Sequence, residues 1–185
     1  MKRESADEIE RRLKSGARVL DVGGAVTVFH RSTHVIDILP LDQAQRIWAR
    51  RGGRVPSIAP ENWIPQDICG ARPFPFADKY FDFAICSHTL EDVRDPLRVC
   101  AEMSRVAKAG YIETPSPIVE LTRGMDPWGR SWVGHYHHRW IVSVENGTLV
   151  FLFKPHFIHG SRRFSFPPSY IARWRNSDRL YTSLF

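Results

Sequence analysis

No stretch of the chain approaches the ~18 consecutive apolar residues that a membrane-spanning helix requires. Cysteine is scarce: Cys69, Cys86 and Cys100 form an odd set without CxxC spacing. A disulfide framework or a zinc ribbon is therefore not expected, and a reducing compartment suits the chain better. The opening MKRESADEIERRLKSG is charged throughout and lacks the apolar run of a signal peptide, so a cytoplasmic location is expected. Dense Lys/Arg blocks are missing as well. With 26 Lys+Arg against 20 Asp+Glu in 185 residues, the net charge is only +6. Apolar residues at 43% and charged residues at 25% sit near globular averages, which excludes a disordered, collagen-like or low-complexity chain. The length suits one domain of about 150 residues with an appendage.

Composition changes near Gly110. Residues 1–110 hold 17 basic and 15 acidic residues, and residues 111–185 hold 9 and 5. The second stretch also carries 14 of the 22 aromatics and five of the eight histidines, types that favour clefts and contact surfaces.

Hydrophobic periodicity and punctuation predict alternating helices and strands. Ser5 with Glu8 reads as a capping box for a first helix, with Ile9 and Leu13 on its inner face and Gly16 as its stop. Ala17–Val22 is a short apolar run closed by Gly23-Gly24, the pattern of a buried strand entering a tight turn. A second strand over His34–Ile38 and a helix over Leu41–Arg51, with Ala44, Ile47 and Trp48 inside, come next. Residues 52–66 are rich in Gly and Pro, with a short strand leading into Asp67-Ile68. Phe81–Ser87 is a buried strand, followed by a helix from about Asp95 to Lys108 that Gly110 would stop, and by a strand at Tyr111–Glu113. Such alternation predicts an α/β fold, a Rossmann-like, doubly wound and mostly parallel sheet covered on both faces. Asn146-Gly147 between Trp140–Glu145 and Thr148–Phe153 predicts a C-terminal antiparallel hairpin. A short helix is placed near Tyr170–Arg175.

In an open parallel sheet, ligands bind beyond the carboxyl ends of the strands. Asp21, Gly23 and Gly24, Asp37, Asp67 with Ile68, and Ser87 with His88 all fall at such ends. Glycines let backbone approach a ligand closely. A strand-end acid can accept from a ribose diol, and an acid followed by an apolar residue can take an adenine amino group and cover its ring.

These segments resemble a known family, the class I S-adenosylmethionine-dependent methyltransferases of the "type 11" kind. Val19–Gly24 resembles the glycine-rich first motif, Val35–Asp37 the ribose-binding acid, and Arg72–Glu91 the family signature. Pro96–Gly110, with Glu102, Arg105 and Lys108, is similar to the helix that follows it. The resemblance covers residues 17–113 and implies S-adenosylmethionine as cofactor, with Asp21, Gly23 and Gly24 near its methionine part, Asp37 at the ribose and Asp67 at the adenine. It also implies a seven-stranded sheet whose last two strands form the hairpin. The stretch from Gly110 to Pro117, with the later His-His-Arg-Trp140, is similar to a bacterial subgroup associated with cell-surface glycans, which implies a small-molecule or glycan-linked acceptor. Two features depart from the pattern: Gly24 continues into Ala25-Val26-Thr27, and only sixteen positions separate Asp21 from Asp37. Little chain is left there for the helix whose dipole helps hold the cofactor carboxylate.

His88, at a strand end, is the first candidate for proton removal from an acceptor, with Glu91 and Asp92 behind it. His135 and His137 would share a face if extended and are further candidates, alongside a packing role. No cysteine and no evident acid completes a site around them, so no metal is expected. The Gly-rich aromatic stretch Thr122–Gly134 reads as a lid or a surface insertion. Residues 1–155 are expected to form the methyltransferase-like domain with an insert at 117–139, and residues 156–185 a basic, aromatic extension. Arg162-Arg163 and Arg173-Trp174-Arg175 suit a solvated tail or a contact between copies better than nucleic acid. An active methyltransferase is the leading reading. A non-catalytic scaffold of the same fold and a nucleic-acid methyltransferase stand as alternatives.

Overall fold

The computed structural model describes residues 1–51, 57–126, 132–174 and 178–185. The expectations placed on 52–56, on 127–131 of the Gly-rich loop and on Arg175 lie outside the described residues. The chain divides into two compact units: residues 1–89, 95–112 and 185 form the first, and residues 90–94 and 113–184 the second.

In the first unit, α1 (Arg3–Arg12), β1 (Val19–Val22), β2 (His34–Asp37), α2 (Leu41–Arg51), β3 (Trp63–Pro65), β4 (Phe81–Ser87) and α3 (Pro96–Val106) lead into β5 (Ala107–Pro115), whose last residues belong to the second unit. The strands are ordered β3-β2-β1-β4-β5, and β1 pairs in parallel with both β2 and β4. The sheet is therefore Rossmann-like, as expected.

Register explains the core. Asp21 is the partner of both Val35 and Ile85, and Val19 of Phe83, so these side chains share one face. That face holds two apolar clusters: Ile9, Leu13, Val19, Phe29, Phe83, Ile85 and Tyr111 under α1, and Ala25, Val35, Ala44, Trp48 and Trp63 under α2. The alternating residues Leu20, Val22, Ile36, Ala84 and Cys86 are buried on the other face.

Several boundaries differ from expectation for physical reasons. Ser5 is not the cap of α1 but lies buried within it, because the helix starts at Arg3 after an extended Lys2. β3 stops two residues short of Asp67, and β2 stops at Asp37, leaving Ile38 exposed. Gly110 does not stop α3; it lies inside β5, where a Cβ would come 2.9 Å from the Ala84 carbonyl oxygen. The helix is instead closed by a side chain from outside it. Lys79, at φ 55°, donates its N–H to Arg105 O (2.8 Å) and its Nζ to Ser104 O (2.6 Å) and Ala107 O (2.9 Å). At the other end Asp95 accepts from Arg98 N, capping the helix.

The same helix straps down the stretch before β4. Arg98 donates to the carbonyls of Gly70, Ala71 and Arg72, and Arg105 to those of Phe74 and Phe76 and to Asp78. Glu102 pairs with Arg105 and accepts from Phe74 N at 2.6 Å.

The second unit holds α4 (Pro117–Glu120), β6 (Trp140–Glu145), β7 (Thr148–Phe153), α5 (Pro168–Ala172) and β8 (Tyr181–Leu184). Asn146 (φ 50°) and Gly147 (φ 76°) form the tight turn, and β6 pairs with β7 in antiparallel register from Trp140↔Phe153 to Glu145↔Thr148. The hairpin is thus where it was expected, but it does not complete the main sheet. β6 and β7 form a two-stranded sheet of their own, and β8, from the stretch read as a tail, takes the place beside β5. Among the described residues, no helix is long and apolar enough to cross a membrane.

Candidate functional site

Strands β1, β2, β3 and β4 run in parallel, so their carboxyl ends open on one edge of the first unit. β1 delivers the turn Gly23-Gly24, β2 ends at Asp37, β3 leads to Asp67 and Ile68, and β4 ends at Ser87 and His88. Gly23 N donates to Ile36 O at 2.9 Å, and Gln66 N to Asp37 O at 2.8 Å, which locks the neighbouring strand ends together.

Asp37 is buried, and its carboxylate clamps two backbone segments. Oδ2 accepts from Ala25 N at 3.1 Å and Oδ1 from Leu39 N at 2.8 Å. It therefore stiffens the glycine turn from the adjacent strand. Asp67 is half-buried and accepts from Cys69 N at 2.8 Å, while Ile68 beside it is buried. Ser87 is half-buried, and His88 is exposed with φ 54°, a left-handed conformation that costs a non-glycine residue of order 1 kcal/mol.

Asp21, near the end of β1, is buried. It points into the apolar face between Val35 and Ile85, and its Oδ2 accepts from Phe29 N at 2.8 Å and from Ser32 Oγ at 3.3 Å. Burial, with the charge of Asp37 adding to it, lifts its pKa to about 7 against the two hydrogen bonds. The reason lies in the short link between β1 and β2. Residues 24–33 form no helix; they make turns that place Ala25 in one apolar cluster and Phe29 in the other. Asp21 anchors that plug.

Both glycines answer to neighbours inside the protein. A Cβ on Gly24 would fall on the Asp21 carboxylate. One on Gly23, which also has φ 72°, would fall on the Thr89 side chain, whose Oγ1 donates to Gly23 O at 3.1 Å.

The second unit contains a separate group of titratable side chains. His135 to His138 form a turn, with His138 N donating to His135 O at 3.3 Å, so His135 and His137 do not share the face of an extended strand. The rings pack on one another instead: His135 lies 4.6 Å from His138, and His137 4.5 Å from His138. His138 is buried; its Nδ1 bonds Glu120 Oε1 at 2.6 Å, and Glu120 Oε2 accepts from Lys154 Nζ at 2.7 Å. Both Glu120 and Lys154 are fully buried.

Burial opposes charge on His138, but the Glu120 bond and the charges of Glu120, Asp92 and Glu91 prevail and raise its pKa. Burial likewise works against the charged Glu120, yet His138 and Lys154 outweigh it and hold the carboxyl below its ordinary range. Burial raises the pKa of Asp92 and lowers that of His135. Glu120 and Lys154 were missed in the sequence. Their one signal was an isolated charge closing an apolar stretch, at Ile118-Val119-Glu120 and at the end of Leu149–Lys154.

Residues 21–112 match the family model described as a methyltransferase domain. Among solved structures, a SAM-dependent methyltransferase of Aquifex aeolicus is similar at 21% identity, over 60% of this chain and 64% of that one, with a TM-score of 0.42. A SAM-dependent methyltransferase of Thermotoga maritima is similar at 22% identity, over 63% of this chain and 51% of that one, with a TM-score of 0.39. The chain thus spans less than two thirds of either protein. An S-adenosylmethionine-dependent methyltransferase of Mesorhizobium loti is similar at 16% identity over 97% of this chain and 73% of that one, with a TM-score of 0.43. Among curated proteins, none matches.

Proposed function

From the match of residues 21–112 to the methyltransferase-domain model, we propose that the chain transfers a methyl group from S-adenosylmethionine to a small-molecule or glycan-linked acceptor. One observation carries this reading: Asp37 and Asp67 follow adjacent parallel strands, and Asp37 is bonded directly to the glycine turn of the third.

The donor set fits the adenosine half of that cofactor. Asp37 would accept from the ribose hydroxyls, since each of its oxygens can take a further bond beyond its one backbone N–H. Asp67 would accept from the adenine amino group, with Ile68 covering the ring. For the methionine half, the described residues offer the turn at Gly23-Gly24 and Ser87, residues 24–33 form no helix whose N-terminus could help, and Asp21 accepts from Phe29 N and Ser32 Oγ. When bound, the cofactor supplies an electrophilic methyl on a sulfonium. The protein's part is then alignment and, where the acceptor needs it, proton removal. His88 is suited to removing that proton, being exposed at the end of β4 and held in a strained conformation.

Calorimetric titration with S-adenosylmethionine and S-adenosylhomocysteine tests the reading. Micromolar binding that Asp37→Ala weakens at least about 100-fold is expected, the loss of roughly two charge-assisted hydrogen bonds. No heat from either ligand at about 100 μM protein would overturn it.

A second reading is favoured by the plug at residues 24–33. A chain without the helix that holds the cofactor carboxylate is suited to a non-catalytic role as a scaffold of methyltransferase fold. The same titration separates the two. A nucleic-acid acceptor draws less support, because residues 111–185 carry a net charge of only +4.

A further inference from the structure

We propose that Asp92, His137 and His138 bind one divalent transition-metal ion of the Zn²⁺ kind, a role for the second unit that stands independently of methyl transfer. The ligand atoms of these three residues lie within 4.8 Å of one another. Asp92 Oδ1 is 3.8 Å from the Nε2 of both His137 and His138. That separation is too long for a hydrogen bond but suits two donors flanking an ion. Metal–ligand bonds of about 2.0–2.1 Å give tetrahedral edges of roughly 3.4 Å, so a few tenths of an ångström of closure completes the geometry.

Three further features show preparation rather than chance proximity. Asp92 Oδ1 is buried and has no hydrogen-bond partner among the described residues, although a carboxylate oxygen so placed normally finds one. His138 is oriented by Glu120 through Nδ1, which turns Nε2 toward Asp92. A carboxylate holding the far nitrogen of a ligating imidazole fixes both ring orientation and tautomer. Lys154 balances the charge of Glu120, and Asp92 is the carboxylate that faces the ion directly.

The strip bearing Asp92 is itself fixed. Arg139 N and Trp140 N donate to Glu91 O at 2.7 and 3.1 Å, and Trp140 Nε1 donates to Val93 O at 2.7 Å. Asp92 is thereby held opposite the histidine turn. Two imidazoles and one carboxylate favour Zn²⁺, Co²⁺ or Ni²⁺ over Mg²⁺ or Ca²⁺, which prefer all-oxygen sets. Three protein donors leave at least one coordination position open to solvent, and His137 is half-exposed, so an ion can enter.

The test uses the full chain after dialysis against a chelator, titrated with Zn²⁺ by calorimetry and with Co²⁺ by visible absorption. One ion per chain is expected, with Co²⁺ giving the strong d–d bands of a low-symmetry, nitrogen-containing site. His137→Ala and Asp92→Asn, both at partly exposed positions, should weaken binding at least about 10-fold while thermal melting confirms that they fold. His156→Ala, outside the cluster, should bind as the parent does. Glu120→Gln should weaken binding about 10- to 100-fold if it folds. Absence of stoichiometric binding in the parent, or parental affinity in both His137→Ala and Asp92→Asn, would overturn the proposal.

Discussion

Replacing Lys154 by Met examines two of the most deeply buried charges among the described residues. Lys154 Nζ bonds Glu120 Oε2 at 2.7 Å and the His135 carbonyl at 3.0 Å, and both Lys154 and Glu120 have no exposed surface. Methionine nearly matches the lysine stem in length and volume, so the cavity it leaves is small and the effect is electrostatic. Glu120 would keep His138 as a partner but lose half of its compensation inside a region of low dielectric. Removing one member of a buried pair costs about 3–5 kcal/mol, a large share of the roughly 5–15 kcal/mol that stabilises an ordinary domain. Pairing Lys154→Met with Glu120→Gln removes both charges together. The double variant should then be less destabilised than the sum of the single ones, by an interaction of order 2 kcal/mol. Urea unfolding followed by circular dichroism, in a chelator so that adventitious ions play no part, measures all four proteins. Lys154→Met within about 1 kcal/mol of the parent, or strict additivity in the cycle, would refute the reasoning.

Two other perturbations follow from the first unit. Gly23→Ala combines a left-handed backbone with a collision against Thr89, and about 2–4 kcal/mol of destabilisation is expected by denaturant melting. Adding Thr89→Gly should return the steric part only; equal stability of Gly23→Ala and parent would contradict the geometry. Asp21 gives a pH dependence. Its folded pKa, about 7, lies above the unfolded value near 3.8, so between these limits the folded state holds a proton that the unfolded state has released. Its contribution is present in acid and lost as pH rises toward 7. Asp21→Asn should therefore gain on the parent between pH 5 and pH 8, by roughly 2 kcal/mol in paired unfolding curves. A pH-independent difference would place that carboxylate in a more solvated setting than the structure gives it.

Local chemistry made some parts of this fold legible in advance. The hairpin followed from Asn146-Gly147, which needs two positive φ angles that few other pairs tolerate. Helix α2 and strand β4 followed from uninterrupted 3.6- and near-continuous apolar patterns. What escaped was decided by distant partners. Nothing near Val106 announces the end of α3, because Lys79, far upstream, supplies the closing hydrogen bonds. Strand β8 lies in a stretch of mixed polarity whose neighbour in the sheet, β5, is distant along the chain. The strand-end acids were found by their order along the chain, whereas the inward turn of Asp21 depends on the plug across it. His135 and His137 would have shared a face only in an extended segment, whereas they lie in a turn whose acidic partners Asp92 and Glu120 come from separate segments.

The strap between α3 and residues 70–79 bears on what the match to the methyltransferase-domain model means here. Arg98, Glu102 and Arg105 bind backbone carbonyls, an amide and Asp78 in the stretch where the resemblance is densest. Those side chains are spent on holding the chain to itself, so selection for foldability alone would preserve them. A fingerprint of this kind is silent about turnover. A descendant that had given up catalysis long ago would still display it, and only the few groups at the strand ends would record the change.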